Sequence, residues 1–147
     1  MNDLDDAWIL AQGEENGKSL IVRCRQNLSQ IVAPESYPKM IQIVWEFDVD
    51  EESGLPSPAL NDRMIEFEDL LIPGLEEDLT CVFFGVYVHN GVRVWSAYTG
   101  DPEAVCERIN DIFADRNPYP LQISAEDDPD WTEYAGLLAS TRDGDRG

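Results

Sequence analysis

The segment Asp127–Asp130 holds the residues best suited by type and spacing to acid–base chemistry. It carries three carboxylates, on Asp127, Asp128 and Asp130, just before Trp131. Crowded carboxylates repel each other, which raises one pKa and lets such a pair act as general acid and base. The same residues also suit an ordinary turn that leads into a helix, with Trp131 packed on the side chain three positions on. The structural interpretation is favoured, and the site interpretation is kept as the alternative.

His89 is the only histidine and the second candidate for chemistry. It precedes Asn90-Gly91, and Asn-Gly between two apolar runs is a strong signal for a β-hairpin with a two-residue turn. That turn places His89 opposite Val92, where neither a nucleophile nor a carboxylate faces it. We therefore expect an exposed turn histidine, and the sequence predicts no catalytic residue. An enzyme is the less favoured interpretation.

Metal-binding patterns are incomplete in this chain. Asp48, Asp50 and Glu52 alternate as in a calcium loop, but Ser53 stands where that loop needs glycine and Ala59 stands where it needs glutamate. The three cysteines are far apart, form no Cys-x-x-Cys pair and lie in apolar or strand-like segments, so they lack the spacing of a structural zinc site. We predict no metal and no other cofactor.

The charge balance restricts the class of partner. Thirty acidic residues against ten lysines and arginines give a formal charge of −20. Such a charge repels phosphate backbones, so nucleic acid is not an expected ligand, whereas a basic protein is. No apolar run is long enough to span a membrane, and the acidic start "MNDLDDAW" does not resemble a secretory signal. We expect a cytoplasmic protein without membrane contact.

The elements that must position these residues follow from periodicity. From Lys39 onward the pattern is strand, helix, strand, strand, helix, strand, which predicts an α+β, ferredoxin-like antiparallel sheet with two helices on one face. An extra N-terminal β-hairpin precedes it. The predicted single domain covers 1–138, with hairpin and linker at 1–38, the core at 39–125, an acidic turn and short helix at 126–138, and a flexible tail at 139–147.

Serine or aspartate followed by proline marks both helix starts, at Ser57-Pro58 and Asp101-Pro102. We expect the first helix to end at Pro73-Gly74. In the predicted sheet, the helix-facing side carries alternate residues of the strands: Ile41, Ile43, Trp45, Phe47, Val82, Phe84, Val86 and Trp95. Arg93 shares that side, so it needs a carboxylate partner, which the sequence does not identify.

The opposite face of the predicted sheet is apolar and aromatic. The hairpin register assigns to it Phe83, Tyr87, Val94 and Tyr98, beside Met40 and Val44. Monomeric domains rarely expose such a patch. We expect cover by the N-terminal hairpin, by a second copy in a homodimer, or by a partner. The candidate partner or ligand face consists of the following residues: Phe83, Tyr87, Val94, Tyr98, Asp128, Asp130 and Trp131.

Several short motifs recur in a known family. They are Trp45, Gly54-Leu55-Pro56, Arg93-Val94-Trp95 with Tyr98, and Asp128-Pro129-Asp130-Trp131 with Tyr134. As a set they resemble the bacterial family catalogued as domain of unknown function 695, from about Asp6 to Leu138. The resemblance implies a domain type and no mechanism. In element order and acidity the chain is also similar to the ribonuclease E activity regulator B family, acidic inhibitors with a ferredoxin-like fold.

Two functions remain open from the sequence. The first is a non-catalytic protein-binding or regulatory module that acts on a basic partner surface, in line with the charge and the missing catalytic sets. The alternative is a small-molecule-binding protein or enzyme that uses the open sheet face or the Asp127–Asp130 carboxylates.

Overall fold

The chain forms an α+β fold in which a six-stranded antiparallel sheet packs against three helices over the described residues. The structure is a computed structural model that describes residues 8–15, 17–26, 28, 32–48, 57–115 and 119–146, with the backbone alone at 14, 15, 18, 19 and 140–146. The elements are β1 (Trp8–Glu15), β2 (Lys18–Arg25), β3 (Lys39–Glu46), α1 (Pro58–Glu76), β4 (Cys81–His89), β5 (Val92–Thr99), α2 (Pro102–Ile112), β6 (Leu121–Asp127) and α3 (Thr132–Arg146).

The strand order is β1-β2-β4-β5-β3-β6, and every neighbouring pair is antiparallel. Strand β2 pairs with β4, from Leu20 opposite His89 to Cys24 opposite Gly85. The first two strands therefore extend the sheet and do not fold over its face.

The turn between β4 and β5 has the predicted geometry. Asn90 and Gly91 have φ of 38° and 92°, as a two-residue primed turn requires, and His89 lies opposite Val92. Both predicted helix caps are also present. Ser57 accepts a hydrogen bond from the amide of Leu60, and Asp101 accepts two amides in the first turn of α2.

A β-bulge changes the faces of β4. The register shifts between Phe83 and Gly85, so Ala97 lies opposite Phe83 and Tyr98 lies opposite Val82. An extra residue in one strand reverses the side on which all residues beyond it point. Phe83 therefore faces α1 and α2, whereas Val82 and Phe84 face the other way. This corrects the predicted sides of all three residues.

Helix α1 runs past the predicted stop at Pro73-Gly74 and ends at Glu76. The amide of Glu77 still bonds to the carbonyl of Pro73, at 2.9 Å, so the helical ladder continues after the proline. Gly74 has a packing role, because a Cβ there would lie 2.6 Å from Cδ1 of Ile112 on α2. The absence of a side chain at Gly74 lets the two helices approach closely.

Two apolar cores lie on the two sides of the sheet. The helix-side core, under α1 and α2, contains Ile41, Ile43, Trp45, Met64, Phe67, Leu71, Leu75, Cys81, Phe83, Val86, Trp95, Ala97, Val105 and Ile109. The second core, under α3, contains Cys24, Leu28, Met40, Val82, Phe84, Tyr98, Trp131 and Tyr134. Helix α3, which packs on β1, β2 and β4, thus covers part of the face predicted to be open.

Helix α3 is longer than the predicted short helix. Its backbone remains helical to Arg146, through most of the stretch expected to be a flexible tail from 139. A helix already formed continues readily, because each added residue contributes one more backbone hydrogen bond.

We expect Gly85→Ala to weaken the docking of α3. A Cβ at Gly85 would lie 2.5 Å from Cδ2 of Leu137, so the leucine must move and its packing is lost. Overpacking of this kind costs about 1–3 kcal/mol of unfolding free energy. Gly13→Ala is the matched control in β1, since nothing lies within 4 Å of its Cβ position.

Urea unfolding of Gly85→Ala with and without Leu137→Ala isolates this contact. The cost of the glycine substitution should shrink once Leu137 is truncated, because the methyl group then has room. Equal costs in the two backgrounds would contradict the placement of α3 over β4.

Candidate functional site

The four sheet residues of the predicted face do not form one surface. Phe83 lies in the helix-side core, and Tyr98 is fully buried under α3. The ring of Tyr98 stacks on that of Trp131 with centroids 4.7 Å apart and planes 4° apart. Only Tyr87 and Val94 stay partly exposed. The chain's own C-terminal segment covers Tyr98, and Phe83 belongs to the opposite side of the sheet.

Asp128 is the hydrogen-bonding centre of that contact. Its carboxylate accepts the hydroxyl of Tyr98 at 2.7 Å, the amide of Thr132 at 2.9 Å and the amide of Glu133 at 3.0 Å. The oxygen of Tyr98 in turn accepts the amide of Tyr134 at 3.2 Å. Asp128 thereby caps the start of α3 and ties it to β5.

The neighbouring carboxylates are used differently. Asp127 is exposed and pairs with Lys39 at 2.6 Å, and Asp130 is exposed in the turn. Burial alone would raise the pKa of Asp128, but the amide of Glu133, the hydroxyl of Tyr98 and the donors of Thr132 lower that pKa below its usual value. Asp128 therefore stays ionised as a structural acceptor.

A buried ionic cluster lies on the other side of the sheet. Glu68 of α1 accepts Nη2 of Arg93 at 3.1 Å, Nε1 of Trp95 at 2.9 Å and a short bond from Arg23. Burial alone would raise the pKa of Glu68, but Arg23, the indole of Trp95 and Arg93 outweigh it and lower the pKa. Glu68 is therefore the ionised partner that Arg93 requires.

A second ion pair lies beside the first along α1. Arg25 donates to both carboxylate oxygens of Glu76, at 2.7 and 3.1 Å, and an oxygen of Glu76 also accepts the amide of Phe83 at 2.9 Å. The guanidinium of Arg25 lies 4.6 Å from the ring centre of Trp8. Both side chains of the pair are almost fully buried.

The sequence contains a signal for this cluster that hydrophobic periodicity alone does not reveal. Arg23 and Arg25 occupy alternate positions of β2, so they share one face of the strand. Glu68 lies within the apolar stripe of α1, next to Phe67 and one turn from Met64. Charged side chains on two surfaces that face the same core are expected to pair, because an unpaired buried charge is costly.

A cavity of about 390 Å³ opens between β2, β4, β5 and the first turn of α1. We call it the arginine cavity. Its lining residues are Ile21, Arg23, Pro58, Asn61, Val86, Val88 and Arg93. It has the size of a small-molecule site and combines apolar walls with two guanidinium groups.

The described part of the chain offers neither a metal-binding cluster nor a membrane-spanning helix. Within it, no cluster of three or more histidine, cysteine, aspartate or glutamate side chains could hold a metal ion. None of its helices is both long enough and apolar enough to cross a membrane.

We expect Asp128→Ala to cost about 1–3 kcal/mol of unfolding free energy, because two amides and a hydroxyl lose their acceptor. Asp128→Asn keeps one oxygen and should cost less. Asp130→Ala, at the exposed neighbour, is the control and should be neutral. Urea unfolding measures all three, and equal stability of Asp128→Ala and the unchanged protein would contradict the capping role.

The lowered pKa of Asp128 also predicts a pH dependence. Its contribution is complete above the unfolded pKa of about 3.9 and is lost as the pH falls through the lower folded pKa. Unfolding free energy in this acid range should therefore fall less steeply for Asp128→Asn than for the unchanged protein. Parallel curves would show that the carboxylate is not stabilised by folding.

Comparison with known proteins agrees with the sequence motifs. No curated protein and no solved structure matches the chain. The model of the family described as "Family of unknown function (DUF695)" matches residues 6–139, which is nearly the whole length and includes the cap, the ionic cluster and the arginine cavity. The chain therefore belongs to the DUF695 family.

Proposed function

We propose that the protein is a non-catalytic, cytoplasmic module that binds the basic surface of a partner protein and regulates it. The observation that carries this proposal is the excess of exposed carboxylates. Most described basic side chains already pair with a carboxylate of the chain, whereas many carboxylates are exposed.

The basic side chains of the described residues are nearly all neutralised within the fold. Ion pairs with carboxylates hold Arg23, Arg25, Lys39, Arg93 and Arg108. Arg63 lies over the rings of Trp45 and Tyr119, at 5.7 and 5.3 Å. The sequence has thirty acidic residues against ten basic ones, so the outer field is strongly negative.

Exposed carboxylates lie on both helices that cover one side of the sheet. We define this helix-layer surface by its exposed acidic residues: Asp62, Glu66 and Asp69 on α1, and Glu103, Glu107 and Asp111 on α2. The two helices are in contact, with the rings of Phe67 and Phe113 stacked 4.8 Å apart. A partner with basic side chains at matching spacing would be steered towards this surface, and salt would screen the attraction.

The predicted alternatives gain less support. A catalytic role for Asp127–Asp130 has against it the capping bonds of Asp128 and the ion pair of Asp127. A homodimer or ligand on the aromatic sheet face would have only Tyr87 and Val94 of the four predicted sheet residues within reach.

We also infer a ferredoxin-like architecture. The strands β3, β4, β5 and β6 stand in the order β6-β3-β5-β4, with α1 and α2 in the two crossovers, and this supports it. Similarity to the ribonuclease E activity regulator B family remains a prediction that rests on element order and acidity.

A set of matched charge variants tests the proposed function. One variant removes four of the six acidic charges that define the helix-layer surface, with Asp62→Asn, Asp69→Asn, Glu107→Gln and Asp111→Asn. The control removes four exposed charges elsewhere with Glu35→Gln, Asp48→Asn, Glu126→Gln and Asp130→Asn. Each tagged protein captures partners from host lysate at low and high salt, and mass spectrometry identifies them.

We expect a basic protein that the unchanged chain and the control retain at low salt and lose at high salt, and that the helix-layer variant fails to retain. The association rate measured with that purified protein should fall at least tenfold for the helix-layer variant. Retention that is insensitive to salt, or equal for both variants, would contradict the proposal.

A further inference from the structure

The arginine cavity has an excess of positive charge in a protein of charge −20. Arg23 and Arg93 both line it, and both donate to the same carboxylate oxygen of Glu68. Because Glu68 is one ionised group between two guanidiniums, the three side chains carry a net charge of +1. Pro58 and Asn61 bring the first turn of α1 to the cavity, and the helix dipole adds positive potential there.

The donors of this group also outnumber their acceptors. A guanidinium has five N–H donors, yet Arg23 and Arg93 each make one hydrogen bond to Glu68 within the described structure. The side chain of Arg23 is 34% exposed and that of Arg93 is 9% exposed, while the unpaired Nε of Arg93, like that of Arg25 outside the cavity, is sealed from solvent. The Nη donors that Glu68 does not use favour an anionic acceptor in the cavity.

The rest of the wall limits the shape of the ligand. Ile21, Val86 and Val88 form an apolar side of the cavity, next to the guanidiniums. Val86 and Val88 are almost fully buried, while Ile21 is partly exposed. Water gains few hydrogen bonds beside such a wall, whereas a hydrocarbon chain is stabilised by leaving water there.

We infer that the arginine cavity binds a small organic monocarboxylate, with its carboxylate on Arg23 and Arg93 and its hydrocarbon part against Ile21, Val86 and Val88. A monoanion matches the single excess charge. A dianion such as inorganic phosphate would exceed that charge, find no use for the apolar wall and meet the repulsion of the whole acidic protein. This ligand site is separate from the helix-layer surface.

Titration with hexanoate, followed by the backbone amide NMR signals of the complete chain, tests this inference. Hexan-1-ol has the same chain length without the charge, and inorganic phosphate has charge without the chain. Arg23→Gln makes the three-side-chain group neutral while Arg93 still balances Glu68. Arg63→Gln is the matched control, with the same charge change on an arginine outside the cavity. Ile21→Trp fills the cavity from its partly exposed wall.

We expect saturable shifts at Ile21, Asn61 and Val88 with hexanoate, and binding of hexanol and phosphate at least tenfold weaker. Arg23→Gln should weaken hexanoate about tenfold or more, and Ile21→Trp should abolish its binding. Arg63→Gln should leave the affinity unchanged. The inference is overturned if hexanoate gives no saturable shifts at these amides, if hexanol binds equally well, or if Arg23→Gln and Arg63→Gln behave alike.

Discussion

The fold depends most on the ion pairs that α1 makes with the sheet. Glu68 and Glu76 lie about two turns apart on α1 and receive arginines from β2 and β5. A buried guanidinium without a partner is severely destabilising. Helix α1 can therefore pack on β2 and β5 only where each carboxylate meets its arginine. Strand β2 sits next to β4 with its charged face under α1, and Glu76 also holds the amide of Phe83 beside the bulge.

The same pairs shape the electrostatics of the molecule. Arg25 and Arg93 are buried with carboxylate partners, and Arg23, whose side chain is 34% exposed, is held against Glu68. Each ion pair removes one charge of each sign, so the negative exterior follows from the thirty acidic residues set against ten basic ones. That exterior supports the proposed docking of a basic partner. Where two arginines share one carboxylate at a cavity wall, the balance is locally reversed.

Much of this fold could be predicted from local patterns. The Asn90-Gly91 turn and the caps at Ser57 and Asp101 depend on neighbouring residues only, and they appear as expected. Long-range features could not be obtained in that way. The bulge near Gly85 shifts the register between β4 and β5, and α1 continues past Pro73, where Gly74 lies against Ile112 of α2. The pairing of Arg23 with Glu68 joins residues 45 positions apart.

The candidate site shows the same difference between local features, which could be predicted, and long-range features, which could not. The capping role of Asp128 agrees with the structural interpretation of its acidic segment, since Asp-Pro turns and helix starts are local. The predicted side of Phe83 is wrong, because one bulge in β4 reverses the side on which the residues before it point relative to those after it. The arginine cavity could not be predicted because its walls come from four separate elements.

A double-mutant cycle between Arg25→Met and Glu76→Met tests the central role of the ion pairs most directly. The two measurements are the unfolding free energy and the hydrogen exchange of the β2 amides. The exposed pair Arg108 and Glu77 provides the control cycle, with an expected coupling of about 0–1 kcal/mol. We predict that each buried single substitution costs about 3–5 kcal/mol and speeds exchange in β2, and that the double substitution recovers at least about 1 kcal/mol of the summed cost. Additive costs with unchanged exchange in β2 would contradict the account.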